Sequence, residues 1–199
     1  MDLDDMTGLY HDQAKESEEA FEHYTGTHGI NPAVFAKHRL GWVVEAAIPE
    51  HEQWEGLPVV PYLTAGGLPV ALRASPFVTD ENGRFDLGYI EHRFPLAAPK
   101  LRIYNVGNSL PGLRTNRVHM VEKVLDVLQL RTEGERAVAI PGFQNFHPWW
   151  IELFSHSEVV IHHSGTKPDA VAGVTEMLRK RRITFTEQVE RTPTVVEEG

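Results

Sequence analysis

The sequence predicts an α/β fold in which a parallel sheet flanked by helices is preceded by a small α+β lobe. Four short apolar runs, separated by helical segments, lie at residues 118–121, 137–140, 159–162 and 183–185. Such alternation is typical of buried parallel strands joined by crossover helices. Ahead of them, two strand-like runs surround Gly66-Gly67, which predicts an antiparallel hairpin.

Length and composition restrict the class of protein. A chain of 199 residues can form one large or two small domains. No apolar run is long enough to cross a membrane, and the acidic N-terminus lacks the pattern of a signal peptide, so we expect a cytoplasmic protein. Because the chain has no cysteine, disulfides, cysteine-ligated zinc and thiol catalysis are excluded.

The sequence pattern divides the chain into four parts. Residues 1–16 are acidic and show little periodicity, so they are predicted to be a flexible tail. Residues 17–116 are assigned to the α+β lobe and residues 117–190 to the α/β domain. Residues 191–199 are predicted to be a second flexible tail.

Local signals place the helices. Ser17, followed by two glutamates, predicts a helix start, and Asn31 before Pro32 predicts another, because such side chains cap a first turn. Residues 148–154 predict a short helix whose aromatic side chains belong to the core. The last helix, predicted at 169–180, has its apolar residues on one face.

The end of the first α/β strand carries the most specific motif. Residues 118–121 lead into Glu122-Lys123-Val124-Leu125-Asp126. This spacing resembles the TOPRIM domain of DnaG-type primases, in particular the short primases of actinobacterial phages. In that family the first strand ends in Glu-Gly-Glu, with an Asp two positions further on. The resemblance implies that the parallel sheet is TOPRIM-like.

Shorter matches extend the resemblance over residues 21–189, which is most of the chain. Upstream of the TOPRIM-like part, Arg102-Ile103-Tyr104-Asn105 is similar to the Arg-Leu-Tyr-Asn step of phage members. The resemblance implies a primase-core-like lobe ahead of the TOPRIM-like domain. It also implies a phage-encoded protein in the host cytoplasm.

The chain departs from the family at the metal site that the resemblance implies. Family members hold divalent metal with the first Glu and with an Asp-Gly-Asp loop after the third strand, where this chain has Ser164, Gly165 and Thr166. The resemblance implies that Glu122 and Asp126 are the remnant catalytic acids. Since hydroxyls are weak Mg²⁺ ligands without carboxylates beside them, we predict a degenerate metal loop and no cofactor. Mg²⁺ is expected only if the chain is an active primase.

Charge favours one stretch for contact with nucleic acid. The net charge of −9 is concentrated at the termini, because residues 1–22 carry eight acids and one lysine, and residues 23–189 are neutral. Residues 93–123 contain six basic residues and one acid. Such a surplus favours a phosphate-facing surface, although a solvated face without a partner stays the alternative.

The residues predicted to bind nucleic acid are Arg73, Arg93, Lys100, Arg102 and Arg117. Arg73 lies in the second strand of the predicted hairpin, where side chains alternate between the two faces of the sheet. In this region the family resemblance implies basic side chains near the template and nucleotide. A solvent-exposed position at the sheet edge is the alternative for this residue.

Two functions are compatible with the sequence. In the first, a primase-like protein has lost catalysis and binds nucleic acid, such as single-stranded DNA, or a protein of the replication or defence machinery. In the second, the chain is an active DnaG-type primase core, a nucleotidyltransferase that makes RNA primers on single-stranded DNA. The sequence favours the first, because most of the acids that the family uses are replaced.

Overall fold

The computed structural model describes residues 1–64, 66–74, 90–93, 103–105, 117–140, 142–165 and 167–189. Its N-terminal part is helical, with α1 (Leu3–Glu16), α2 (Glu18–Phe21), a π-helix (Glu22–Thr27) and α3 (Pro32–Lys37). Ser17 caps α2 by accepting from the Ala20 N–H, and Asn31 caps α3 by accepting from the Ala33 N–H. Both predicted helix starts are confirmed.

The first sheet is antiparallel. It contains β1 (Gly41–Trp42), β2 (Pro58–Leu63), β3 (Pro69–Ala74) and β4 (Ile90–Arg93) in that spatial order. A 3₁₀ helix (Pro49–Trp54) lies between β1 and β2. The pairing of β2 with β3 confirms the predicted hairpin.

The second sheet is parallel throughout. It contains β5 (Arg117–Val121), β6 (Ala137–Ala139), β7 (Glu158–His163) and β8 (Phe185–Val189), in the spatial order β6-β5-β7-β8. The connections include α4 (Val124–Thr132), α5 (Pro168–Lys180) and the 3₁₀ helices Phe143–Asn145 and Pro148–Phe154. The predicted α/β fold is confirmed: a parallel sheet flanked by helices follows an α+β lobe along the chain.

Residues 1–16 are not a flexible tail, and this prediction is wrong. Nearly all of them belong to α1, whose N-terminus is closed by a reciprocal capping box between Asp2 and Asp5. Leu3, Met6 and Tyr10 are buried and pack against Val43, Trp54, Val59 and Leu72. The apolar residues follow helical spacing, and their burial outweighs the acidic composition from which the tail was predicted.

The last strand lies further along the chain than the predicted 183–185. Arg182 has φ 57° and ends α5 in a left-handed turn, in which Ile183 N–H donates to Leu178 O over 3.0 Å. Ile183 is buried against the core and belongs to this helix end, so β8 begins at Phe185.

One hydrophobic core joins the two sheets. It combines Tyr24, Trp42 and Val60 of the N-terminal part with Tyr104, Val121 and Leu128 of the later part. A second core lies between the parallel sheet and α5, and contains Trp150, Ile151 and Phe154 of the predicted aromatic segment. The boundary predicted at residue 117 stays a prediction, and residues 191–199 lie outside the described residues.

None of the helices in the described ranges is long and apolar enough to cross a membrane.

Candidate functional site

The carboxyl ends of β5 and β7 lie side by side. Met120 pairs with Ile161 in parallel register, so Glu122, just after β5, lies at the same edge of the sheet as Ser164, just after β7. Open α/β sheets bind ligands at this edge. The structure therefore brings together the two segments at which the sequence predicted remnant metal chemistry.

Glu122 connects two neighbouring loops. Its side chain is half-buried, and Oε1 accepts a hydrogen bond of 3.1 Å from the backbone N–H of Phe143. Phe143 follows Gly142, whose φ of 76° lets the chain turn after β6 in a conformation that side chains with a Cβ rarely adopt. One carboxylate oxygen of Glu122 is thus used to fix the loop after β6.

Asp126 lies in the first turn of α4 and is half-buried. A carboxylate is favoured there because the backbone N–H groups at a helix N-terminus are unpaired and carry partial positive charge. Lys123 occupies the N-cap position, and its side chain makes no capping hydrogen bond. The position of Asp126 therefore has a structural explanation that requires no metal.

The last residue of β7 carries an imidazole, and the first residue after it carries a hydroxyl. His163 Nδ1 accepts from the Gly165 N–H over 3.2 Å, which leaves the proton of the neutral ring on Nε2. His163 Nε2 lies 3.8 Å from Glu187 Oε2 of β8. Ser164 is exposed, and Thr166 lies outside the described residues.

This donor set does not fit a magnesium site of the kind that the family resemblance implies. Mg²⁺ requires oxygen ligands in near-octahedral arrangement, and carboxylates are the side chains that supply them most effectively. Across the part of the chain that the structure describes, no three His, Asp or Glu side chains form a group that could hold a metal ion. The loss of metal binding itself stays a prediction.

Arg117 lies at the opposite end of β5 from Glu122. It starts the strand, so the two residues are separated by roughly 16 Å at about 3.3 Å per residue. The Arg117 side chain is 54% exposed and pairs with Glu158 Oε1 at 3.2 Å. Arg117 is accessible to a ligand, but at the amino edge of the sheet.

Arg73 is buried, which excludes the exposed position weighed for it. Only 6% of its surface is accessible. Nη1 donates to the Tyr62 hydroxyl over 2.8 Å, and the guanidinium carbon lies 4.5 Å from the centre of the Tyr62 ring. Contact between Arg73 and nucleic acid, which stays a prediction, would require this arrangement to open.

Of the other three predicted basic residues, one lies within the described part of the chain. Arg93 ends β4, and Lys100 and Arg102 lie outside the described residues.

Comparison with known proteins identifies the fold. No family model matches the sequence, and no curated protein matches it significantly. Among solved structures, a DnaG primase catalytic domain bound to single-stranded DNA has a TM-score of 0.69 at 18% identity, with 96% of this chain and 72% of that chain covered. The chain has the fold of a DnaG primase catalytic core.

Two further primase structures are similar. The Escherichia coli primase catalytic core has a TM-score of 0.69 at 17% identity, with 96% of this chain and 72% of that chain covered. The RNA polymerase domain of Mycobacterium tuberculosis primase DnaG, in complex with double-stranded DNA, has a TM-score of 0.64 at 16% identity, with 94% and 71% covered. At these identities the likeness establishes the fold.

Within this primase fold, a histidine pair lies on one face of the parallel sheet. His119 Nδ1 is 2.7 Å from His162 Nε2, and His119 Nε2 is 3.5 Å from Glu135 Oε2. Burial lowers the pKa of His119, and the charge of Glu135 opposes that shift. Strand alternation alone does not predict that both rings lie on one face. That prediction also requires the register between β5 and β7, which cannot be read from the sequence.

Proposed function

We propose that the chain is a phage-encoded, primase-fold protein that binds nucleic acid, or a protein of the replication or defence machinery, without synthesising primers. The observation that carries the proposal is the donor set at the carboxyl edge of the parallel sheet. Glu122 and Asp126 are acids, whereas Val124, Ser164 and Thr166 stand where the family resemblance implies carboxylates.

Primer synthesis is a phosphoryl transfer, and this chemistry depends on metal ions that neutralise the charge of the phosphates. With few carboxylates, Mg²⁺ would keep mostly water around it, as in bulk solution, and would gain little by binding. Glu122 already accepts from the Phe143 N–H, and the next residue, Lys123, is a cation. These residues can position a loop and a helix, but they are poorly suited to hold a dication.

Nucleic-acid binding is supported by the fold and by charge. Solved structures with this fold include one bound to single-stranded DNA and one in complex with double-stranded DNA. The chain has six basic residues against one acid between positions 93 and 123. Arg117 places one of these charges on an accessible surface. Such a surface would bind phosphates through charge, with little dependence on sequence.

An active primase core is the second candidate. It is favoured by one observation, which is that Glu122 and Asp126 keep the family spacing at the end of β5. In that case Mg²⁺ is the expected cofactor.

Primer synthesis and metal binding separate the two candidates. The purified protein is incubated with a single-stranded DNA template and labelled nucleotides, and Mg²⁺ and Mn²⁺ are titrated calorimetrically. We expect no extension product and no binding heat, together with binding of single-stranded DNA that weakens steeply with salt. If the parent makes an extension product and Glu122→Gln does not, the proposed binding function is wrong and the chain is an active primase.

A further inference from the structure

An apolar cavity opens on the surface of the N-terminal helices. Its volume is about 160 Å³, and its lining is mostly apolar, with side chains from α1, α2, the π-helix and α3. Its apolar lining consists of Ala14, Phe21, Tyr24, Pro32 and Phe35.

The floor of this cavity is preformed. Tyr24 is fully buried, and its hydroxyl donates to the Gly41 carbonyl oxygen over 2.8 Å. The rings of Tyr24 and Phe35 meet edge to face with centroids 5.3 Å apart. Because the floor is fixed by the fold of the lobe, a side chain entering the cavity would not have to order it.

Phe21 leaves a large apolar surface at the rim of the cavity. Its side chain is among the most exposed large apolar side chains of the described residues, at 61%. It ends α2, directly before the π-helix, a rare element that is frequent at functional sites. An exposed aromatic beside an apolar cavity is typical of an interaction surface.

The charge around the cavity determines what can enter it. Glu16, Glu18, Glu19 and Glu22 are exposed, and none of them has an ion-pair partner within the described part of the chain. Lys15, which itself lines the cavity, already pairs with Asp12. This field repels phosphate and attracts cations, so it disfavours nucleic acid and favours a basic protein.

We propose that this cavity docks a basic segment of a partner protein. One large apolar side chain of the segment enters between Phe21 and Phe35, and flanking lysines or arginines face the unpaired glutamates. The cavity supplies affinity through apolar burial, and the glutamates supply steering and orientation. The cavity lining shares no residue with the set proposed to bind nucleic acid, so the two proposals can be tested independently.

A labelled peptide with a Leu-Phe pair between two lysine-rich ends is the probe. Its binding to the full chain is measured by fluorescence anisotropy, beside a peptide in which a Ser-Ser pair replaces Leu-Phe. We expect the first peptide to bind at least about tenfold more tightly than the second. Added salt should weaken the lysine-dependent part of the affinity.

Two pairs of matched variants locate the contact. Phe21→Ser should lower the affinity about tenfold, whereas Leu68→Ser, which removes an equally exposed side chain outside the cavity, should not. Replacing Glu18, Glu19 and Glu22 by Gln should weaken binding and its salt dependence. The control replaces Glu45, Glu50 and Glu52, three other exposed glutamates, and changes the net charge equally. Circular dichroism verifies that each variant folds.

Three results would overturn the proposal. The first is equal or absent binding of the two peptides, and the second is a loss in the control variants as large as in the cavity variants. The third is a dimer of the parent that Phe21→Ser dissociates, since that assigns the cavity to a second copy of the chain. Binding of single-stranded DNA should be retained in Phe21→Ser, so failure here is distinguishable from failure of the proposed function.

Discussion

The N-terminal helices and the carboxyl edge of the parallel sheet both carry acids, but the acids serve different purposes. In residues 1–22 all eight acids are exposed, on helices that buried apolar residues anchor to the fold. At the sheet edge the two acids are half-buried, and Glu122 holds the loop after β6. Apart from the capping box of Asp2 and Asp5, the acid-rich segment exposes its charge to solvent, whereas the acid-poor edge uses a carboxylate to hold a loop.

This difference shows that the role of an acid depends on its surroundings. A segment rich in acids was expected to be mobile, and it is a helix with a buried face. At the edge where the family resemblance implies metal-binding acids, a carboxylate accepts a backbone hydrogen bond. The predictions below test each side of this comparison.

The largest expected effect tests whether α1 is part of the fold. Tyr10 is completely buried, its hydroxyl lies 2.6 Å from His51 Nδ1, and it accepts from the Ala47 N–H over 3.0 Å. Tyr10→Ala should therefore lower the free energy of unfolding by about 3–5 kcal/mol, as for other buried aromatic side chains. Urea denaturation measures it.

Leu9→Ala on the same helix is the control, because Leu9 is 37% exposed. Its loss should stay below about 0.5 kcal/mol, as for surface substitutions elsewhere. Equal and small losses in the two variants would mean that α1 contributes nothing to stability.

The next effect is a loss of stability in acid. His38 is buried, its Nδ1 lies 2.8 Å from the Tyr104 hydroxyl, and its Nε2 has no hydrogen-bond partner among the described residues. Burial, followed by the charges of Arg131 and Lys37, lowers the pKa of His38 to about 4. Because the unfolded chain binds the proton more readily, stability falls as the pH drops from about 6.5 to about 4.

At about 1.4 kcal/mol per pKa unit, this histidine accounts for up to ~3 kcal/mol of that loss. Urea denaturation of the parent and of His38→Gln at neutral and acid pH measures it. The variant should lose less stability on acidification than the parent. Identical pH profiles would show that His38 takes up its proton as easily in the folded protein as in the unfolded chain.

Much of the fold is predictable from local pattern, because strands, caps and turns depend on neighbouring residues. Short apolar runs predict the parallel strands. Ser17 and Asn31 predict the starts of α2 and α3, which they cap. Acidic composition mispredicts residues 1–16, because the helical spacing of Leu3, Met6 and Tyr10, which is visible in the sequence, decides their structure. Ile183 was misplaced because an apolar residue in a helix-ending turn resembles the start of a strand.

The candidate site is less predictable, since it depends on contacts between distant segments. The hydrogen bond from the Phe143 N–H to Glu122, which lies 21 residues earlier in the chain, depends on the turn at Gly142. The residues around Glu122 in the sequence therefore do not predict it. The pairing of His119 with His162 requires the strand register. For Arg73, strand alternation predicts that the side chain lies on one face of the sheet, but the sequence does not show which face is buried.

A smaller effect should follow from restoring carboxylates at the sheet edge. Replacing Ser164 and Thr166 together by Asp adds two anionic donors at the edge that holds Glu122. We expect the variant to bind Mg²⁺ or Mn²⁺ with measurable heat where the parent shows none, which requires a gain in affinity of at least about tenfold, or about 1.4 kcal/mol. Isothermal titration calorimetry measures the change. Ser155→Asp with Ser157→Asp, which adds the same charge before β7, is the control and should add no comparable affinity.

The smallest expected effect concerns the amino edge of the parallel sheet, opposite the edge that holds Glu122, where Arg117 gives the sharpest test. Its ion pair with Glu158 is exposed, so Arg117→Gln should change stability little. If Arg117 contacts a phosphate, the variant should bind single-stranded DNA several-fold more weakly, and the slope of log K against log salt should fall by about 0.7.

Arg181→Gln is the matched control, because Arg181 is similarly exposed and pairs with Glu152 over 2.7 Å. Equal losses in the two variants would mean that charge acts without a defined surface. A loss confined to Arg117→Gln would place nucleic acid at the amino edge of the sheet, away from Glu122, where binding needs no metal.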